Sequence, residues 1–210
     1  MYAQFRVRSA YNQYSQVRNA RNVTGLWAAQ RLLSVAGLDG VGIGSTPGQL
    51  SDHYDPRSKQ LYLSEDVARV PSVAALGIVA HEIGHAQQDQ QGYVPLKLRG
   101  AMVPAVQIGS WVGPILFIVG ILLNLANLPL VGLVLFSLTL VFALVTLPVE
   151  FNASSRAVAL LQTSGMISSA EERGVRRVLS AAALTYVAAA VQALSTILYY
   201  MTILSGRRRR

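Results

Sequence analysis

Between Arg99 and Glu150 the chain carries no charged side chain, and between Arg177 and Arg207 it again carries none. Runs of this kind fit a lipid environment. A bilayer-spanning helix needs about 20 mostly apolar residues, because in hydrocarbon every backbone polar group must be satisfied within the segment. The first run, GAMVPAVQIGSWVGPILFIVGILLNLANLP followed by LVGLVLFSLTLVFALVTLPV, is long enough for two spans. Asn124, Asn127 and Pro129 interrupt it near the middle and predict an uncharged turn between antiparallel helices. The second run, VLSAAALTYVAAAVQALSTILYYMTILSG, fits one span, with Tyr199 and Tyr200 as interface anchors near its end. A charged share of 13%, about half that of a soluble domain, agrees with three spans.

The formal net charge of +8 invites a nucleic-acid reading. Its positive residues, however, flank the apolar runs or sit in the terminal RRRR, which is the ordinary juxtamembrane pattern, and no nucleic-acid-binding module accompanies them. The expected partner is therefore the bilayer and not a nucleic acid. Cysteine is absent, which excludes disulfides, and no cleavable signal peptide is visible.

The remaining sequence has the texture of a small folded domain. Thr24 as N-cap and Gly37 as stop predict the second of two helices within residues 1–39. Turn-rich sequence follows, and the alternation in QLYLS predicts a half-buried strand over 60–64, entered through a hairpin turn at DPRSK. Pro71 at a first helical position then predicts a helix running to about Gln90, just before Gly92.

That helix carries VAHEIGHAQQ, residues 79–88. Residues four apart on a helix share a face, so His81 and His85 can converge on one ion while Glu82 projects close by, where it can take a proton from an activated water. Val79, Ala80, Ile83, Gly84 and Ala86 are small or apolar, as a ligand helix buried beneath a site requires. Catalytic zinc takes three protein ligands and leaves a fourth position open. His53, in the turn upstream, is one candidate for the third ligand; the carboxylates downstream are Asp89, Glu150, Glu171 and Glu172. Asp89 lies on the same helix, and Glu171 and Glu172 belong to a charge-paired segment, SSAEERGVRR. Glu150 stands alone at the end of the charge-free run, where a carboxylate beside apolar helix needs a partner. A two-span hairpin also leaves and re-enters one membrane face, which returns Glu150 to the side of His81 and His85.

DHYDPRSKQLYLSEDV, VAALGIVAHEIGHAQQ, GYVPLKLRGAMVPAVQIGS and LPVEFNASSRAVALL together resemble the YugP-type bacterial membrane zinc metallopeptidases, and the likeness extends to VRNARNVTG near the start. The HtpX-type heat-shock proteases are similar in plan. The resemblance implies a mainly α membrane protein with an α+β zincin-like catalytic core, a small sheet, and a transmembrane hairpin inserted between HExxH and a glutamate ligand. It implies one Zn2+ per chain held by His81, His85 and Glu150, Glu82 as general base, and a peptide or protein substrate docked along Gln60, Leu61, Tyr62 and Leu63 as an edge strand. Where the HtpX-type pattern has an aspartate four residues after the glutamate ligand, this chain has Ser154, so Ser154, Asn152 or another group is expected to support the ligands instead. Members of the YugP type usually carry an apolar span just ahead of the segment matching YAQF, where this sequence starts, so an anchor is expected to have been lost or trimmed.

The expected organisation is a catalytic core over 1–100, a hairpin over 101–149, the rest of the core over 150–177, a last span over 178–206 and a basic tail over 207–210. The expected activity is metal-assisted endopeptidase hydrolysis in a multi-pass cell-membrane protein that is open to oligomeric or membrane-protein partners; a catalytically silent zinc-binding membrane scaffold or adaptor is the alternative. His53, Arg156, Tyr54 and Tyr62 are the candidates for stabilising the oxyanion. Lys97, Arg99, Arg156, Arg173, Arg176 and Arg177 flank the spans on the motif side, which by the positive-inside rule faces the cytoplasm. With three spans, the terminal RRRR falls on the opposite face and breaks that rule.

Overall fold

The computed structural model describes residues 2–208; Arg209 and Arg210 of the expected basic tail lie outside the described residues. The protein is mainly helical. Among the described residues, seven helices, α1 (Tyr2–Ser15), α2 (Gly25–Val35), α3 (Glu65–Arg69), α4 (Val73–Gln90), α5 (Val94–Leu122), α6 (Leu128–Thr163) and α7 (Ser169–Arg208), accompany three strands, β1 (Gly42–Thr46), β2 (His53–Asp55) and β3 (Gln60–Ser64). The chain divides into two compact units. The first gathers the sequence up to Tyr93 with Val149–Thr185, and the second gathers Val94–Pro148 with the sequence from Tyr186 onward.

In the first unit, local signals and structure agree closely. The Thr24 hydroxyl accepts from Trp27 N, and Gly37 takes a positive φ of 65° after α2, as a left-handed stop requires. One start is corrected: Pro71 does not open α4. Ser72 caps the helix by accepting from Ala75 N, and Val73 is its first residue, because the Pro71 carbonyl is engaged by Asn19 N and the Val73 amide by the Val17 carbonyl. The DPRSK turn closes a hairpin in which the Asp55 carboxylate accepts from Arg57 N and from the Ser58 hydroxyl. Around these elements Leu32, Leu61, Leu63, Leu76, Val79, Ile83, Leu161 and Val175 form a core in which each side chain is almost fully enclosed. Burying a side chain of this size contributes about 1.5–3 kcal/mol, so this cluster supplies most of the drive to fold the unit.

The sheet order is β1-β3-β2, with β1 parallel and β2 antiparallel to β3. This corrects the expectation for Gln60, Leu61, Tyr62 and Leu63. They form the middle strand, with neighbours on both sides, and the open edges belong to β1 and β2. Leu61 and Leu63, each 1% exposed, face the core as the alternation predicted, but alternation reports which face is buried and not which strands lie alongside.

The second unit holds the hairpin. Asn124, at φ 56°, turns the chain between α5 and α6, and Phe117, Leu133 and Ile197 centre a small apolar cluster. Tyr200, expected with Tyr199 as an interface anchor, stacks on Phe117 at 3.9 Å between ring centroids, and Tyr199 is exposed. Among the described residues, three helices are long and apolar enough to cross a membrane: Val94–Leu122, Leu128–Thr163 and Ser169–Gly206. Helix α6 is continuous through Pro148 and contributes to both units, so the helix bearing Glu150 is the second candidate span itself and not a separate element.

Candidate metal centre

Two helices of the first unit build the site. On α4, His81 and His85 lie one turn apart, their rings edge-on at 4.8 Å between centroids. On α6, Glu150, Ala153, Ser154 and Ala157 form a stripe at helical spacing, with small residues where α4 comes close. Gly84 permits that approach. A Cβ at Gly84 would lie 2.6 Å from the Ala153 carbonyl oxygen and 3.2 Å from Ala153 Cα, contacts no side-chain rotation can relieve.

At this distance Glu150 Oε2 lies 3.2 Å from His81 Nε2 and 3.8 Å from His85 Nε2. One ligand atom from each of the three residues falls within 4.8 Å of the others. Zinc bond lengths of about 2.0–2.1 Å to nitrogen and oxygen put tetrahedral ligand atoms about 3.3–3.5 Å apart, and the two distances to Glu150 bracket that range. The chemistry of the donors agrees with the geometry. Glu150 is 4% exposed and His85 9%, and a carboxylate enclosed to that degree is costly unless a cation or hydrogen-bond donors share its charge. Two imidazoles and one carboxylate are a donor set suited to catalytic zinc.

Glu82 sits one residue from His81, half-buried, with Oε2 accepting from the Tyr54 amide at 3.0 Å. Burial pushes its carboxyl up to about 7 and the charge of Glu150 adds to the rise, while His81 and the Tyr54 N–H oppose it. Tyr54 lies on β2, so β2 is the sheet edge that borders Glu82. Its ring is tied down as well: the phenol donates to Asp89 Oδ2 at 2.8 Å, and Lys59 Nζ pairs with the same oxygen.

The other candidates are placed elsewhere. His53 is exposed, stacked on Tyr62 at 4.9 Å, with Nδ1 2.8 Å from the Ser51 carbonyl, and it lies outside the His81, His85 and Glu150 group. Glu171 accepts from the amides of Ala20 and Ser168, and Glu172 pairs with Arg176 and Gln162. Arg156 Nε donates to Asn152 Oδ1 at 2.7 Å. The Ser154 hydroxyl lies 3.3 Å from His81 Nδ1, at the position where the expected support for the ligands was sought.

Sequence reasoning passed over Gln88. It is 0% exposed; its Oε1 lies 3.0 Å from His85 Nδ1, and its Nε2 lies 2.8 Å from the Val149 carbonyl and 2.9 Å from Asn152 Oδ1. Its spacing of three residues from His85 was the available signal, since positions i and i+3 are neighbours on a helix.

Comparison with known proteins agrees with this site. The family described as "putative neutral zinc metallopeptidase" matches residues 1–205. The chain is 46% identical over 207 residues to the "putative membrane protease YugP" of Bacillus subtilis (strain 168), covering 98% of this chain and 92% of that protein. No solved structure matches it. The chain thus belongs to the family of putative neutral zinc metallopeptidases.

Proposed function

We propose that the protein is a membrane-embedded zinc endopeptidase with a zincin-like core, in which His81, His85 and Glu150 hold one Zn2+ and Glu82 is the general base. The observation that carries this reading is the convergence of the three donors on α4 and α6 with Glu82 next to them. When bound, zinc supplies Lewis acidity at the scissile carbonyl and brings the acidity of water near neutrality. Glu82 takes the proton from the attacking water and hands it to the leaving amine, with the Tyr54 N–H holding the carboxylate in place. An extended peptide would lie along β2, the sheet edge beside Glu82, and be read by main-chain hydrogen bonds.

The reading extends to location. A multi-pass protein whose motif side carries Lys97, Arg99, Arg156, Arg173, Arg176 and Arg177 places its site at the cytoplasmic face, where membrane or unfolded proteins are its substrates. The test is direct. Glu82→Gln should retain about one zinc per chain and abolish cleavage of an unfolded protein such as casein; undiminished cleavage by that variant would overturn the mechanism.

A further inference from the structure

The side chain of Gln88 is enclosed at the contact between α4 and α6, and each of its polar atoms has a partner. Two of the groups around it have fixed hydrogen-bonding roles. A backbone carbonyl only accepts, and an arginine Nε only donates. The Val149 carbonyl therefore requires a donor 2.8 Å away, which identifies that atom of Gln88 as Nε2. Independently, Arg156 Nε at 2.7 Å fixes the acceptor end of Asn152 as Oδ1, and that oxygen also requires Gln88 to present its amino group. With Nε2 assigned twice over, Oε1 faces His85 Nδ1 at 3.0 Å. An amide oxygen only accepts, so His85 Nδ1 carries a proton, and in the neutral imidazole that leaves the lone pair on Nε2, on the side of Glu150.

We infer that Gln88 is a positioning residue that sets the tautomer of His85 and couples it to the backbone of the residue before Glu150. The inference rests on the zinc reading of the same three ligands. One side chain then does two jobs. It holds the imidazole in the protonation state that ligates through Nε2, and it ties the α4 ligand pair to the turn of α6 that delivers the third ligand. The outer hydrogen bond to a metal-binding imidazole is commonly made to a carboxylate, a backbone carbonyl or water. A neutral amide adds no charge to the site and, unlike a carboxylate, also offers the two donors that Val149 and Asn152 accept.

The test separates these jobs from each other and from simple packing. In metal-free wild-type protein, long-range 15N–1H spectra should show His85 as the Nδ1–H tautomer. Gln88→Leu, which keeps the bulk and loses all three hydrogen bonds, should abolish that preference and weaken zinc binding, measured by chelator competition, about 10- to 100-fold. Gln88→Glu still accepts from Nδ1 but turns an acceptor toward Val149 and Asn152. It should melt at a lower temperature than wild type yet keep the tautomer and most of the zinc affinity. Equal loss of affinity in both variants would make Gln88 a packing tether only, and an Nε2–H tautomer in wild type would overturn the inference even if Gln88→Leu does not fold. A wild-type protein that binds no zinc would instead refute the metal reading, while the tautomer measurement would still decide the role of Gln88.

Discussion

Replacing Gly84 by alanine sets two effects of opposite sign against each other. In an exposed helix interior the change stabilises by about 1 kcal/mol, because glycine loses more backbone freedom on folding. Here the new methyl would stand 2.6 Å from the Ala153 carbonyl oxygen, about 0.8 Å inside the 3.4 Å at which ordinary contact begins. The obstacle is backbone, so relief requires α4 and α6 to separate, and overpacking of this kind costs about 1–3 kcal/mol. Ala153 lies one turn from Glu150, so most of that separation is transmitted to the third ligand. Metal sites tolerate departures of only about 0.2 Å from their bond lengths. Gly84→Ala should therefore melt at or below the parent temperature in excess chelator, and its zinc affinity should fall by at least about tenfold. Thermal melts in detergent, with chelator and with added zinc, report both quantities on one sample. A variant that melts higher than the parent and binds zinc equally well would refute the argument that close helix approach fixes the ligand geometry.

Other expectations follow from the same contacts. Glu150→Ala should lose zinc, whereas Glu171→Ala and Glu172→Ala should bind it normally, with metal content after dialysis as the measurement. Glu171→Ala should still cost about 0.5–1.5 kcal/mol in unfolding experiments, since the exposed Ala20 and Ser168 amides exchange a carboxylate acceptor for water. The same carboxylate makes stability depend on pH. Burial alone would raise its pKa, but the hydrogen bonds from Ser168 and Ala20 prevail and hold it below 4.5. Its contribution is thus present above pH 4.5 and is lost as the pH falls through the lowered folded-state value, so Glu171→Gln should show a flatter acid limb in urea titrations. Adding zinc to stripped protein should raise the melting temperature in proportion to the logarithm of free zinc, and Glu150→Ala should abolish the rise.

Much of the protein is legible in its sequence because the relevant physics is local or one-dimensional. Charge is excluded from hydrocarbon, so the runs after Arg99 and Arg177 mark the candidate spans without reference to any contact. Helical periodicity alone aligns His81 with His85, and the isolation of Glu150 at the end of an apolar run singles it out among the downstream carboxylates. Turn chemistry at Thr24, Gly37 and DPRSK likewise needs only neighbouring residues. The rest depends on which segments meet. Leu61 and Leu63 show that β3 has a buried face, but only the pairing of β1 and β2 along it makes it the middle strand, because edge status belongs to the sheet and not to the strand. Gln88 has the composition of a surface residue on a polar helix end until α6 covers it, and Gly84 is an ordinary weak point of a helix until Ala153 lies against it. The sequence by itself determined the candidate spans, the motif helix and the identity of the candidate ligands, since these follow from polarity and spacing. Only the tertiary structure decided how closely α4 and α6 approach, and with that which imidazole nitrogen faces Glu150, because both depend on contacts between residues more than sixty positions apart.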